Sequence, residues 1–268
     1  MVLEIPALRL ERLKELITDG GALSVRTAMS VLDVSEMTVR RDFAALEDQG
    51  LVQRTRGGVV ATGRIAADVS YSQREQHEAA AKMDIGVKAL GLVKDGDILF
   101  ISGGTTCLAF ARALRGRRRV TVITNAVTVL TYLMTDPGMT VLATGGVVSA
   151  QDQDMTGPVA AAALARFRVN KAFIGASGVS AEGVFNSNQA RAATDELMVK
   201  AARHAYVLAD RTKLEAVALA LVAGLESIDG LVTDSIPADA TLEWLDDAGV
   251  QTLIAGGEGA TPSEGTNP

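Results

Sequence analysis

From residue 74 to residue 255 the chain alternates short β-rich runs with helical patterns, and this alternation constrains its fold more than any other feature. The runs fall at 97–101 (DILFI), 120–123 (VTVI), 140–142, 171–174 (KAFI), 204–209, 231–233 and 251–254. Strands separated by helices pair in parallel, so the pattern predicts βαβ units and a mainly parallel sheet covered by helices. Sheets of this kind hold ligands outside the carboxyl ends of their strands, where the strand order reverses. With 48% apolar and 22% charged residues, 268 residues can bury such a core. No apolar run approaches the ~20 residues needed to cross a bilayer, so no membrane partner is expected.

The strand-end loops are therefore the candidate ligand site. The loop Ser102-Gly103-Gly104-Thr105-Thr106 follows the first strand and opens a helix. Its glycines allow close backbone approach, its hydroxyls can donate, and a helix N-terminus attracts anions. It lacks the Gly-Lys-Ser/Thr ending of a P-loop and the G-x-G-x-x-G spacing of a dinucleotide site. Asn125, Gly145, Gly146, Ser177 and Gly178 end other strands. Asp210 can bond vicinal hydroxyls and Lys213 can neutralise a phosphate, so the set suggests a small polyol phosphate. The lone Cys107 permits neither an intramolecular disulfide nor a cysteine zinc site, and no cofactor is expected. A reduced, cytoplasmic setting follows as the expectation, since the N-terminal MVLEIPALRLERLKEL has no apolar signal core.

The first 60 residues read differently. Leu10, Leu13 and Ile17 share one helix face, and Gly20-Gly21 stops that helix. Ser24 can cap a second helix with Val25, Ala28 and Leu32 inward; Ser35 can cap a third that ends at Gly50. In the third helix Val39, Phe43 and Leu46 face the core, while Met37 and Arg41 project outward with Thr38 and Arg40 flanking. Residues 51–60 then read as a small hairpin carrying Arg54 and Arg56. Helix, tight turn, helix and hairpin describe a winged helix-turn-helix, whose third helix enters the major groove of duplex DNA.

Charge alone does not point there. The net charge is −6, and residues 1–60 hold 8 Lys+Arg against 9 Asp+Glu. What matters is placement: Arg40, Arg41, Arg54 and Arg56 lie within 17 residues, and arginine reads phosphates and guanine edges bidentately. The competing reading makes Arg40 and Arg41 solvated surface residues paired with Glu36, Asp42 or Glu47.

Residues 8–60 resemble the DNA-binding domain of DeoR/GlpR-type transcriptional regulators. The likeness rests on Val34-Ser35-Glu36-Met37-Thr38-Val39-Arg40-Arg41-Asp42-Phe43, and on Gln49-Gly50-Leu51-Val52 followed by Arg54-Thr55-Arg56-Gly57-Gly58. Arg56 stands where the family usually carries His. Residues 74–255 are similar to that family's sensor domain in residues 102–106, 122–125, 142–146, 171–178 and 208–213. The resemblance implies a fold related to ribose-5-phosphate isomerase, glucosamine-phosphate deaminase and coenzyme A transferases, with a phosphorylated sugar as effector. Ser102 departs from the family's usual Asp.

The expected organisation is a winged helix-turn-helix over 1–60, a linker over 61–73, an α/β sensor domain over 74–255 and a disordered tail over 256–268. The expected function is a non-enzymatic transcriptional regulator, by resemblance a repressor of carbohydrate-metabolism genes. Ser35, Met37, Thr38, Arg40, Arg41, Arg54 and Arg56 would hold double-stranded operator DNA. The effector would lie on residues 102–106, Asn125, Gly145, Gly146, Ser177, Gly178, Asp210 and Lys213, in a homo-oligomer, dimer or tetramer. Two rivals stand beside it: a sugar-phosphate isomerase or deaminase with an appended DNA module, and a DNA-organising protein without an effector.

Overall fold

The computed structural model describes residues 6–20, 22–61 and 71–256. Most of the expected linker (62–70) and all but the first residue of the expected tail (257–268) lie outside the described residues.

The N-terminal unit runs α1 (Pro6–Gly20), β1 (Ala22–Ser24), α2 (Val25–Leu32), α3 (Glu36–Asp48), β2 (Val52–Arg54) and β3 (Gly58–Ala61). Ser24 caps α2 by accepting from the Thr27 N–H at 3.0 Å, and Ser35 caps α3 through Thr38. Gly50, at φ 70°, follows α3 in the left-handed position. Leu13, Ile17, Ala28, Val39, Phe43 and Leu46 form the buried core. The sequence did not suggest β1, which pairs antiparallel with β3 to give a three-stranded sheet in the order β1-β3-β2. Gly58 permits that pairing, because a Cβ there would overlap the Leu23 carbonyl.

Asp42 is not a partner of Arg40 or Arg41. It is buried and receives two N–H groups of Arg9, at 2.5 and 3.0 Å, which joins α1 to α3 across 33 residues.

The body follows as α4 (Tyr71–Gln76), α5 (Ala79–Leu90), β4 (Ile98–Ile101), α6 (Thr105–Leu114), β5 (Val120–Thr124), α7 (Val127–Leu133), β6 (Met139–Ala143), β7 (Val147–Val148), β8 (Met155–Thr156) and α8 (Pro158–Leu164). It continues with β9 (Val169–Gly175), β10 (Gly178–Ser180), β11 (Gly183–Asn186), α9 (Gln189–Ala201), β12 (Ala202–Leu208), β13 (Ala220–Ala223), β14 (Gly230–Thr233), α10 (Asp239–Asp247) and β15 (Gln251–Ile254). Seven strands form one sheet in the order β15-β14-β12-β9-β4-β5-β6, with every neighbouring pair parallel. Alternate residues pack on opposite faces. Phe100, Ile174, Val207 and Leu231 join one cluster; Leu99, Ile101, Phe173, Leu208 and Val232 join the other. A small antiparallel sheet, β10-β11-β13, lies beside it.

The chain builds outward from β4 to β6, crosses back to β9, then builds outward the other way. The order therefore reverses between β4 and β9, and their carboxyl-end loops, 102–104 and 176–177, meet at that switch.

Residues 74–93 carry a continuous helical pattern in sequence, but two helices form there. The helix begins earlier, inside the expected linker, and breaks at His77-Glu78, where Glu78 turns left-handed at φ 49°. Tertiary contacts impose the break. The Glu78 carboxylate receives Arg211 Nη2 at 2.9 and 3.0 Å, and Lys82 Nζ donates to the carbonyls of Arg74 and His77 at 2.5 and 2.6 Å.

Candidate functional site

The exposed face of α3 gathers the groups expected to read DNA. Met37 is 82% exposed, and Arg40 and Arg41 are exposed beside it. Thr38 is half-buried, its hydroxyl 3.0 Å from that of the capping Ser35. Arg40 Nε donates to Glu36 at 2.7 Å, a solvated i,i+4 pair that a phosphate can displace cheaply. Arg41 makes no ion pair among the described residues. The wing carries Arg54 on β2 and Arg56 in the turn, both exposed. Glu47 accepts the Arg54 backbone N–H at 3.0 Å and so pins the wing to α3.

The second site is a cleft at the sheet's switch point. From the expected set, Gly104, Thr105, Thr106, Ser177 and Lys213 line it. Gly104 occupies the N-cap of α6 at φ 107°, a conformation suited to glycine, and offers no side chain to satisfy the helix's first N–H groups. Lys213 is only 5% exposed, yet among the described residues its ammonium has no hydrogen bond or ion pair. A nearly buried cation that makes no hydrogen bond, opposed by the charge of Asp210 behind the lining and set beside the open N-terminus of a helix, suits an anion.

Other expected residues stand behind the lining. Ser102 is fully buried and donates to Asp195 Oδ1. Gly103 backs onto Asp154, whose Oδ2 would lie 3.0 Å from a Cβ there. Asn125 is buried and donates to the Met155 carbonyl at 3.3 Å. Gly145 and Gly146 pack near Val159 and the Thr156 carbonyl, while Gly178 packs on Ala216. Asp210 caps the turn 211–213, accepting from the Thr212 N–H at 3.0 Å. Burial alone would push its carboxyl up, but Lys213 and the Thr212 hydroxyl outweigh that and hold it below the usual carboxylate range.

Sequence reasoning missed three cations on the lining: Arg74, Lys82 and Arg191. Arg74 is held by the Gln151 carbonyl at 3.0 Å and Asp152 at 3.2 Å. Arg191 donates to the Gly103 carbonyl at 3.0 Å and lies 3.0 Å from Asp154. Burial works against the guanidinium's charge, and Asp154, Asp195 and Asp152 together keep it charged. The readable signal was the pair Arg191 and Asp195, one turn apart on α9 among Ala192 and Met198.

Asp195 also bears on the Ser102 departure: a buried carboxylate stands against this loop, supplied by α9 and held by Ser102 and by Asn186 at 3.1 Å. Burial pushes it up to about 6 from 3.8, against the pull of Arg191 and Ser102. The folded chain thus keeps this proton to a higher pH than the unfolded chain. Stability is lost as pH rises through that window, by up to about 3 kcal/mol. Asn at 195 can keep both neighbours, since the Ser102 hydroxyl can reverse its role. Asp195→Asn should therefore gain about that much on wild type between about pH 4.5 and 7.5 in thermal melts. Parallel curves for the two proteins would show that Asp195 does not titrate there.

A helix-turn-helix unit with an exposed arginine face, joined to an α/β body with a polar cleft at its strand ends, is the layout of a ligand-responsive transcriptional regulator. The family models agree: residues 9–64 match the DeoR-like helix-turn-helix domain and residues 77–235 the DeoR C terminal sensor domain. The chain belongs to the DeoR family of transcriptional regulators.

Among its relatives, the transcriptional regulator GlpR of Haloferax volcanii is 30% identical, over 94% of this chain and 98% of that protein. The transcriptional repressor CsqR of Escherichia coli is 30% identical over 92% and 94%. The lactose phosphotransferase system repressor of Lactococcus lactis is 30% identical over 85% and 90%. Solved structures with a similar chain course include ribose 5-phosphate isomerase A of Methanocaldococcus jannaschii (21% identity, 51% of this chain and 55% of that one, TM-score 0.39). Another is translation initiation factor eIF-2B of Pyrococcus horikoshii (14% identity, 86% and 95%, TM-score 0.45). Among the described residues no helix is long and apolar enough to cross a membrane.

Proposed function

We propose that the chain is a repressor of carbohydrate-metabolism genes whose hold on operator DNA is set by a phosphorylated sugar in the cleft. Lys213 carries this reading: a nearly buried lysine whose ammonium makes no hydrogen bond among the described residues, its charge opposed by Asp210 behind the lining, faces a cleft that opens on the N-terminus of α6. A sugar phosphate gives the Lys213 ammonium a hydrogen-bonding partner in the cleft, and the hydroxyls of Thr105, Thr106, Ser177 and Ser187 suit its polyol portion. The names of relatives that are repressors, CsqR and the lactose phosphotransferase system repressor, support the sign of regulation. The effector acts only if it prefers one arrangement of the reader over another. Two copies reading paired half-sites account for operator affinity, so a homo-oligomer is part of the proposal.

The isomerase or deaminase reading needs an acid/base pair at the substrate. The cleft lining includes no carboxylate and no histidine, while Asp154 and Asp195 are fully buried behind it. No observation favours that rival.

The test is a gel shift on the DNA upstream of the chain's own gene, with a panel of sugar phosphates and the corresponding free sugars. A phosphorylated sugar should release the DNA and its free sugar should not. Release by neither, with DNA binding intact, would count against the effector class. Arg41→Ala should weaken this binding by about 10- to 100-fold at fixed salt, the loss of one arginine contact to base or phosphate. The fold should survive, because Arg41 is exposed. Unchanged affinity would move the reading face off α3.

A further inference from the structure

We propose that the segment 210–215 couples the two domains, holding the effector with Lys213 and the DNA reader with Glu215. The proposal rests on the anion reading of the cleft and adds the route by which occupancy reaches the reader. Lys213 ends a single tight turn, Arg211–Lys213, closed by its own N–H on the Asp210 carbonyl at 3.0 Å. Two residues later Glu215 faces the N-terminal unit. Its Oε1 receives Arg26 Nη1 from α2 at 3.2 Å and the Thr241 hydroxyl from α10 at 2.7 Å.

Three further observations make this contact a device rather than a surface accident. Glu215 holds a left-handed backbone at φ 60°, which a non-glycine residue keeps only where its surroundings enforce it. Residues 215–217 stand against the wing turn itself, sharing a small crevice with Thr55, Gly57 and Gly58. A wider cleft separates Arg26, Ser30 and Val31 of α2 from Arg211, Leu214 and Ile236 of the body. The reader is therefore docked through few contacts beside open space.

The strength of the dock fits a switch. The Arg26 side chain is 67% exposed, so its pair with Glu215 is a screened surface contact that a modest bias can open. Only Leu214 separates Lys213 from Glu215. An anion that draws Lys213 changes the carriage of Glu215, and with it the fraction of readers docked. Arg211 fixes the far side of the same turn to Glu78 and Asp234. Glu78 marks the α4–α5 break beside Lys82, so a second cleft-lining cation is tied to the same turn.

The test uses the full chain with spin labels at Gln49→Cys in the reader and Arg118→Cys in the body, both exposed positions. Cys107 is fully buried and stays unlabelled. Inter-label distances are measured with and without inorganic phosphate, and phosphate binding is measured by calorimetry on the same samples. Phosphate should shift the distance distribution. Arg26→Ala and Glu215→Gln should each lower the docked fraction about two- to five-fold without phosphate, the effect of one exposed pair. Both should still bind phosphate. Because Arg26 lies outside the body, its variant cannot act by disturbing the cleft. Phosphate bound with no change in distances would overturn the coupling and leave the anion reading standing. No phosphate binding at all would overturn both. Distances unaffected by either substitution would show that Glu215 does not hold the reader.

Discussion

Asp42→Ala is expected to unfold the reader while leaving the body intact. The Asp42 and Arg9 side chains are 6% and 7% exposed, and they meet through two hydrogen bonds between α1 and α3. Removing the carboxylate strips a buried guanidinium of that partner, a change that costs about 3–5 kcal/mol in buried pairs. A unit of this size has a total stability of only about 5 kcal/mol, because small domains bury a small fraction of their surface. Thermal unfolding should therefore show an early reader transition, or none above room temperature, with the body's transition in place. Operator binding should disappear although Asp42 is buried and faces no DNA. A reader that melts as in wild type would show that the Arg9–Asp42 pair contributes nothing net. Arg41→Ala is the contrasting case, since it should lose affinity with the fold intact.

Lys213→Met is expected to lower phosphate affinity by about 10- to 100-fold. A hydrogen bond to a charged group contributes about 1.5–3 kcal/mol, and each 1.4 kcal/mol is tenfold in affinity. Methionine keeps the apolar stem in place, so the loss is that of the ammonium. The same substitution removes the cation that helps hold Asp210 below the usual carboxylate range. A carboxyl depressed in the folded state contributes stability at neutral pH and loses that contribution as pH falls through its folded value. The variant should thus be less stable than wild type near pH 7, and the gap should narrow below about pH 4 as Asp210 protonates in both. Calorimetry with phosphate and melts across pH read the two effects separately. Wild-type affinity in the variant would remove Lys213 from the site.

Several elements were legible because their causes are local. Ser24 and Ser35 cap helices by bonding N–H groups three residues on, and a serine before an apolar helical pattern announces that geometry. The αL position at Gly50 and the inward set Val39, Phe43 and Leu46 follow from the same short-range rules. The loop 102–106 was legible as a strand-end glycine turn, and Lys213 as a cation near another.

What was not legible depends on residues distant in sequence. Strand β1 exists because β3, more than 30 residues later, offers it an edge. The break at Glu78 comes with a contact 133 residues away, where Arg211 pairs with the Glu78 carboxylate. Arg74 and Arg191, 117 residues apart in sequence, reach one cleft only through the fold.

The amino-acid order alone determined the two-part design, the α/β class, the exposed arginine-bearing side of α3 and the glycine loop that opens α6, because periodicity, capping and glycine placement act within a few residues. Only the tertiary structure decided which groups share the cleft, that Asp195 stands against Ser102, and that Lys213 and Glu215 look toward different partners. Those outcomes depend on where the sheet reverses its strand order and what it brings together, and long-range packing sets them.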